Sequence, residues 1–559
     1  MSPFAYRMAY RMTGSASVAV LALLLVAQNA LAQNPTFSAR TELVLVPAIV
    51  TDHNGKHVHG LTRDDFIVRE DGIEQKIASF EEIVASESTV HKVSGTTEGV
   101  YSNLRLSDYA PRRINIVVLD LINTKWAEQI YARRAILGYL SKTLNTDQLT
   151  AFILLTRGGV NMVHDFTTDT RVLMAALQRL SGEIGPPLPA EQQQATDTEA
   201  TQIKQLLDSA NAQLRRPLPQ DPVIATVIGL ESIANAFRGV PGRKALLWVS
   251  SGFPFHSPRP DATDVHRKDD SWFLDRYVEF FRTLNAANIA IYPIDARGLV
   301  DTSVTPEDTA RATASTANRP STVLQAKEEE HTATIQTILA FATMTGGRPF
   351  YNTNDLAGAM AAASDDSSSY YVLGYYAKTT EQKERWRKLT VKLQRSGLDV
   401  RARSGYYASR QVTGDREELR KRDIAEALDT PFDFTGIPFS VRFLAPQPAE
   451  ANRKNVTFEV LMQPNSLSVD EMDHNYVNFQ LVAMARDGQS KDIGGIDRQF
   501  DAHLSPAAVE LSRSKGLSQR DQLVLPPGEY TLKFVLRDNL SGRVGSVSAP
   551  VTVDATPAK

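Results

Sequence analysis

The chain has 559 residues, of which 42% are hydrophobic, and this length predicts two to four domains with packed cores. Its 61 Lys and Arg nearly balance its 64 Asp and Glu, which argues against a nucleic-acid-binding protein with a basic face. It has no cysteine, so disulfides, a cysteine nucleophile, a thiolate zinc site and an iron–sulfur cluster are excluded.

Residues 1–32 have the pattern of an export signal. Arg7 and Arg11 precede an apolar core at residues 18–26, and Ala30-Leu31-Ala32 matches a signal-peptide cleavage site. An apolar core of about ten residues is shorter than the ~20 that a spanning helix needs, so cleavage is favoured over a retained anchor. We therefore expect a periplasmic or secreted protein, with no transmembrane segment after cleavage.

Residues 37–90 predict a small, Ig-like β domain, because turn signals at Asn54-Gly55 and Asp71-Gly72 separate short apolar runs. Three histidines cluster there: His53, His57 and His59. They suggest either a metal site or a polar hairpin tip, and the absence of a completing carboxylate or cysteine spacing favours the hairpin tip. The polar residues 91–111 predict a linker.

Residues 112–410 alternate between apolar strand-like runs and helical periodicity. The runs lie at residues 114–119, 149–156, 244–249 and 289–295. Because near-continuous apolar runs are typical of strands buried on both faces, the alternation predicts the α/β class, a mainly parallel sheet flanked by helices. Insertions are expected near residues 182–220, 253–270 and 296–329, the last two at the carboxyl ends of strands.

The remaining chain predicts a helical spacer followed by a β domain. Residues 411–430 are charged and helical in pattern. Residues 431–555 are rich in alternating runs separated by turns, such as Tyr530, Leu532, Phe534 and Leu536. We expect an antiparallel, Ig-like β-sandwich over residues 431–555.

Small oxygen-bearing side chains follow three of the predicted parallel strands. Asp120, Asn123 and Thr124 follow the first run, Ser251 follows the third and Asp295 ends the fourth. Open α/β sheets bind ligands at the carboxyl ends of their strands, so these five residues form the candidate site.

Several stretches together resemble the VWFA-related family of exported bacterial proteins, over about residues 40–410. They are Asp120-x-x-Asn123-Thr124, residues 166–169, residues 242–252, residues 292–295 and Tyr371-x-Leu373-Gly374-Tyr375. The resemblance implies a von Willebrand factor type A-like, Rossmann-like fold. It also implies a metal-ion-dependent adhesion site built from Asp-x-Ser-x-Ser, a loop Thr and an Asp after the fourth strand.

The match to that metal site is incomplete. Asp120 and Thr124 match the first Asp and the second hydroxyl, whereas Ile122 replaces the first Ser and Asn123 could substitute through its carbonyl. Ser251 stands where relatives have an Asp; Thr226 is one candidate for the loop Thr, and Asp295 for a second charge. Hard cations need several oxygen ligands, so this set favours weak or lost Mg²⁺ or Mn²⁺ binding. Alternatively, Asp120 and Thr124 only cap the following helix.

These features predict a non-enzymatic protein that binds an unidentified protein or peptide ligand, in interaction or adhesion at the cell envelope. No nucleic acid partner is expected, and the oligomeric state stays open. One alternative is a structural envelope component with a vestigial metal site. Another is a hydrolase that uses Ser251, although no G-x-S-x-G, P-loop or H-E-x-x-H motif occurs.

Overall fold

A computed structural model describes twelve stretches of the chain: residues 40–84, 99–103, 113–143, 148–183, 219–253, 271–299, 320–379, 386–407, 416–430, 432–449, 452–471 and 473–554. The predicted signal peptide lies outside the described residues. So do most of the predicted linker and most of the predicted insertions near residues 182–220, 253–270 and 296–329.

The amino-terminal elements are short strands. They are β1 (Arg40–Asp52), β2 (Phe66–Glu70), β3 (Ile73–Gln75), β4 (Ile77–Val84) and β5 (Val100–Ser102), with a 3₁₀ turn at Arg63–Asp65.

The middle of the chain alternates between strands and helices. Its first elements are β6 (Ile114–Asp120), α1 (Trp126–Lys142), β7 (Leu149–Thr156), β8 (Gly159–Thr167), α2 (Thr170–Glu183), α3 (Pro222–Ala236) and β9 (Lys244–Ser250). They are followed by α4 (Ser271–Ala286), β10 (Ile289–Asp295), α5 (Pro320–Thr345), α6 (Leu356–Asp365), β11 (Ser369–Thr379), β12 (Trp386–Leu393), β13 (Leu398–Ala402), β14 (Gly405–Tyr407) and α7 (Arg416–Asp429).

The carboxyl-terminal part consists mainly of strands. They are β15 (Phe439–Phe443), β16 (Gln447–Pro448), β17 (Lys454–Met462), β18 (Tyr476–Arg486), β19 (Asp492–His503), β20 (Leu517–Leu525), β21 (Gly528–Asp538) and β22 (Val544–Val553), with α8 (Pro506–Lys515) between β19 and β20.

The predicted fold class is wrong for this chain, because most strands lie outside any mainly parallel sheet. Parallel pairs occur in one mixed sheet of five strands, ordered β10-β9-β6-β7-β8, in which β8 is antiparallel. Four further sheets hold the other strands, and every pair in them with an assigned register is antiparallel. Apolar runs predict where strands form but not which strands pair. For this reason the fold class predicted from the sequence was wrong.

Strands that are far apart in the sequence build the two amino-terminal sheets. Their orders are β13-β1-β11-β4 and β14-β12-β2-β3. Val50 pairs with Val400, and Val68 pairs with Val391, so residues 45–84 share sheets with residues 369–375 and 386–407. The strands after Trp386 are therefore part of a larger antiparallel assembly.

The mixed sheet is buried because side chains of β6 point alternately to two core clusters. Ile116 and Val118 pack with residues of α3, α4 and α5 on one face. Val117 and Leu119 pack with residues of α1, α2 and α6 on the other face. The seven residues of β6 are all buried, so this strand and its carboxyl end are held firmly.

Two antiparallel sheets share a third core cluster in the carboxyl-terminal part. One contains β16, β17, β15 and β5 with β20 paired to β17, and the other has the order β19-β18-β21-β22. The strand β5 comes from the predicted linker and pairs Tyr101 with Val441. None of the helices in the described ranges is long and apolar enough to cross a membrane.

The chain divides into two compact units. The smaller comprises Met1–Val44 and Tyr376–Glu381, of which the structure describes the start of β1 and the end of β11. The larger comprises Leu45–Tyr375 and Gln382–Lys559, and it contains every side chain of the candidate site.

Candidate functional site

Three strand ends meet at one edge of the mixed sheet. β6 ends at Asp120, β9 at Ser250 and β10 at Asp295. Leu119 is level with Val249, and Asp295 is level with Ser250, because the three strands are parallel and in register. This edge, which we call the site edge, carries the loops after β6, β9 and β10.

The carboxylate of Asp120 accepts five hydrogen bonds. Its Oδ1 accepts from the backbone N–H groups of Ile122 (2.9 Å) and Asn123 (3.1 Å). Its Oδ2 accepts from Asn123 Nδ2 (2.7 Å), Trp248 Nε1 (3.1 Å) and Ser250 Oγ (3.1 Å). Asp120 thus ties the loop after β6 to the adjacent strand β9.

Asp120 is completely buried, with 0% of its surface exposed. Burial raises the pKa of this carboxyl group, and the hydrogen bonds from Asn123, Trp248 and Ser250 lower it, with burial the larger effect. A buried carboxylate surrounded by donors stabilises its loop but presents no free oxygen to a ligand.

Asn123 extends this network to the head of α3. Its side-chain Nδ2 donates to Thr226 Oγ1 at 2.8 Å as well as to Asp120. Thr226 in turn donates its hydroxyl proton to the carbonyl of Pro222 at 2.7 Å. The sequence-based candidate Thr226 therefore does lie at the site, where it positions Asn123.

Thr124 and Ser251 join the loops after β6 and β9. The N–H of Ser251 donates to Thr124 Oγ1 (3.3 Å), while Ser251 Oγ donates to the carbonyl of Asn123 (3.3 Å) and accepts from the N–H of Lys125 (3.2 Å). A Cβ atom on Gly252 would lie 2.6 Å from the Asn123 carbonyl oxygen, so this close approach requires glycine.

Asp295 is buried at the same edge but bonds to a different partner. Arg297 donates to it through Nε (2.9 Å to Oδ1) and Nη2 (2.7 Å to Oδ2), and its backbone N–H also bonds to Oδ1. The structure thus brings Asp120, Asn123, Thr124 and Ser251 into one hydrogen-bonded network and pairs Asp295 separately with Arg297.

The donor set around these residues does not fit a divalent cation. N–H and O–H donors occupy both oxygens of Asp120, and a guanidinium occupies Asp295. Mg²⁺ and Mn²⁺ need oxygen lone pairs directed at one point. Among the residues that the structure describes, no group of three or more His, Asp or Glu side chains is arranged to hold a metal ion. Weak or lost binding of Mg²⁺ or Mn²⁺ by the candidate residues stays a prediction.

Three residues of the network were missed by sequence reasoning. Trp248 and Ser250 donate to Asp120, and Gln129 Nε2 donates to the carbonyl of Thr124 at 2.8 Å. Trp248 and Ser250 are two residues apart on β9, so strand alternation places both on the face that meets Asp120. That alternation was the available signal, and it favours Ser250 over its neighbour Ser251.

The loop after β10 displays an apolar side chain. Leu299 is 65% exposed, and its N–H donates to Asn354 Oδ1 at 3.0 Å. Tyr131 of α1 donates its hydroxyl to the carbonyl of Asn354 at 2.6 Å. Leu299 is therefore held outward by a loop that is fastened through Asn354 to α1.

His57 and His59 pair with carboxylates, the first outside the predicted amino-terminal domain and the second within it. His57 Nε2 lies 3.3 Å from Asp365, and His59 Nδ1 lies 3.0 Å from Glu82. These pairs connect the loop after β1 to α6 and β4. The spacing of residues along the sequence did not predict them.

No family model matches the sequence, and no curated protein matches it significantly. The chain is similar to a solved structure of an aerotolerance-related membrane protein from Bacteroides fragilis, with 13% identity, 45% of this chain and 98% of that chain covered, and a TM-score of 0.24. It is also similar to a putative beta-galactosidase from Bacteroides fragilis, with 12% identity, 34% and 26% covered, and a TM-score of 0.15. A third is dimeric latent PorU from Porphyromonas gingivalis, with 10% identity, 34% and 14% covered, and a TM-score of 0.14. These scores are too low to assign a function, and the resemblance to the VWFA-related family stays a prediction.

Proposed function

We propose that this chain is an exported binding protein of the cell envelope, related to the VWFA-related proteins, whose site edge holds a protein or peptide ligand. The observation that carries the proposal is that the loops after β6 and β9 are held in place by hydrogen bonds that involve the side chains of Asp120, Asn123 and Ser251. Loops held on a rigid scaffold lose little entropy on binding, which makes them suitable as a recognition surface.

The exposed face of this edge offers apolar contacts. Leu299 is 65% exposed beside the site edge, and Ile130 on α1 is 48% exposed one residue before Tyr131, which holds the Leu299 loop. Apolar side chains on a preorganised surface are the usual anchors of protein–protein contacts. In this proposal the ligand contacts Leu299 and Ile130, and the Asp120 network keeps its hydrogen bonds.

The hydroxyl of Ser251 supports binding over hydrolysis. Its proton goes to the backbone carbonyl of Asn123, and its lone pair accepts the N–H of Lys125. A serine nucleophile needs a base within hydrogen-bond reach to remove its proton, and a carbonyl oxygen does not act as one.

Site-specific photo-crosslinking tests this proposal. We would replace Leu299 by p-benzoyl-phenylalanine and irradiate intact producing cells. The matched control carries the same residue at Leu511 of α8, which is 49% exposed and lies in the carboxyl-terminal part. We expect one discrete adduct from position 299 and none from 511. Equal labelling from both positions, or no adduct from position 299, would contradict the proposal.

A structural role is the second candidate, and one observation favours it. A single core cluster contains Val227 of α3, Ala427 of α7, Val482 of β18 and Val535 of β21, so the helices and the carboxyl-terminal strands share one core. Such continuous packing suits a rigid spacer. Under this role, Leu299→Asp leaves envelope integrity unchanged, whereas deleting the whole chain impairs it.

A further inference from the structure

A buried arginine with two unpartnered nitrogen atoms lies on α1, the helix that follows the loop of the site edge. Arg133 is 6% exposed, and its Nε and Nη2 atoms are buried and make no hydrogen bond. Burial lowers the pKa of this guanidinium. An unpaired buried cation is costly, so such a group in a native structure calls for an explanation, for which a bound anion is one.

The other two arginines that are equally buried in the described parts of the chain use their guanidinium groups more fully, although the buried Nε of Arg243 also has no partner. Arg243 donates to Tyr292 Oη at 3.2 Å and to the carbonyl of Gly346 at 2.6 Å. Arg537 donates to Asp423 through Nε at 3.0 Å and Nη2 at 2.8 Å. The same two atoms that Arg537 uses to bind a carboxylate are the unpartnered atoms of Arg133.

Two further residues of α1 complete a small polar face. Gln129, one turn before Arg133, has a buried Oε1 with no hydrogen-bond partner, while its Nε2 is used on Thr124. Trp126 lies seven residues before Arg133, and the guanidinium carbon is 5.5 Å from the centre of its indole ring. Residues at these spacings share one helix face. We call Trp126, Gln129 and Arg133 the α1 face.

We propose that the α1 face binds the carboxylate of an acidic side chain in a protein segment. The Nε and Nη2 edge of a guanidinium donates two parallel N–H bonds, which match the two oxygens of a carboxylate. Gln129 Oε1 then accepts an N–H from the backbone of the same segment. A peptide supplies both groups, whereas phosphate supplies no N–H donor, so the face favours a peptide.

This inference rests on the proposed function in one respect, since it takes the ligand to be a protein. The ligand is then a protein segment with an acidic side chain, and one of its contact points lies on α1, near the site edge. Gln129 links the two places directly, because its side-chain amide bonds to the carbonyl of Thr124 in the Asp120 network.

The indole of Trp126 provides the test. The chain has four tryptophans, so 5-fluorotryptophan labelling gives four ¹⁹F signals, and Trp126→Phe identifies the relevant one. The probe is the peptide Ac-Ala-Glu-Ala-NH₂, with Ac-Ala-Gln-Ala-NH₂ and sodium phosphate as comparisons. We expect a saturable shift of the Trp126 signal with the glutamate peptide alone. Arg133→Lys, which keeps the charge but loses the two-bond edge, should weaken binding at least about tenfold.

A stability measurement covers the case in which Arg133→Lys fails to fold. Arg133→Met removes the unpaired charge at similar volume, so its urea midpoint without peptide should equal or exceed that of the wild type. A clearly lower midpoint would mean that Arg133 is a structural cation and would overturn the proposal. No peptide shift, or an equal shift with phosphate, would also overturn it.

The two proposals fail in different ways. If position 299 crosslinks and the peptide does not move the Trp126 signal, the site edge binds a protein without the α1 face. If the peptide binds and position 299 gives no adduct, the site-edge proposal fails and the carboxylate site on α1 remains.

Discussion

Replacing Asp120 by asparagine tests the central role of the Asp120 network. Asparagine has nearly the same shape but carries only one acceptor oxygen and adds an NH₂ donor. If its nitrogen takes the place of Oδ1, two donors lose their acceptor; if it replaces Oδ2, three donors do. Either orientation leaves buried donors unpaired.

The magnitude follows from that count. Each unpaired buried donor costs about 1–3 kcal/mol, and removal of the buried charge offsets part of the total. We therefore expect Asp120→Asn to lower the free energy of unfolding by about 2–4 kcal/mol. Urea denaturation followed by far-UV circular dichroism measures this change.

An exposed aspartate provides the matched control. Asp169 lies before α2 and bonds to Arg171 at the surface, so Asp169→Asn should change the free energy of unfolding little. If Asp120→Asn is no more destabilising than Asp169→Asn, then the five hydrogen bonds do not hold the site edge and the reasoning above is refuted.

Four further outcomes are expected. Burial lowers the pKa of Lys244 from 10.5 to about 7, so the unfolded chain binds more protons than the folded chain between these pH values. The free energy of unfolding of the wild type should therefore rise with pH across that range. In urea titrations, Lys244→Met should remove the rise. Burial raises the pKa of Glu231 from 4.5 to about 8, so its contribution to stability falls as pH rises between these values, and Glu231→Gln should remove that fall. Calorimetry with Mg²⁺ should show no saturable heat, whereas saturable heat that Asp120→Asn abolishes would establish the metal site. Gly252→Ala should lower the urea midpoint, because its Cβ would meet the Asn123 carbonyl, while Gly488→Ala, with open space around it, should not.

Local sequence patterns located many elements of the middle of the chain. The apolar runs at residues 114–119, 149–156 and 244–249 do form strands. Asp221 caps the start of α3, since its carboxylate accepts from the N–H groups of Val223 and Ile224. By contrast, α5 begins at Pro320, within the insertion that was expected near residues 296–329. Helices stabilised by tertiary packing commonly begin outside their most periodic segment.

The candidate site was predicted in part. Asp120, Asn123, Thr124 and Ser251 lie together, since the ends of adjacent parallel strands meet at one edge. Asp295 is level with Ser250 in the sheet, yet its carboxylate bonds to Arg297, two residues later. No residue spacing shows whether a carboxylate faces its neighbours across the edge or a nearby arginine.

The sequence by itself determined where strands and helices form, because periodicity and capping act over a few residues. Tertiary structure alone decided the partners: β1 pairs with β13, and β5 joins β15, across hundreds of residues. It also decided the state of Asp120, whose donors Trp248 and Ser250 lie 128 and 130 residues away. Whether a carboxylate is free to bind a ligand depends on the donors around it, and folding brings those donors from distant parts of the chain.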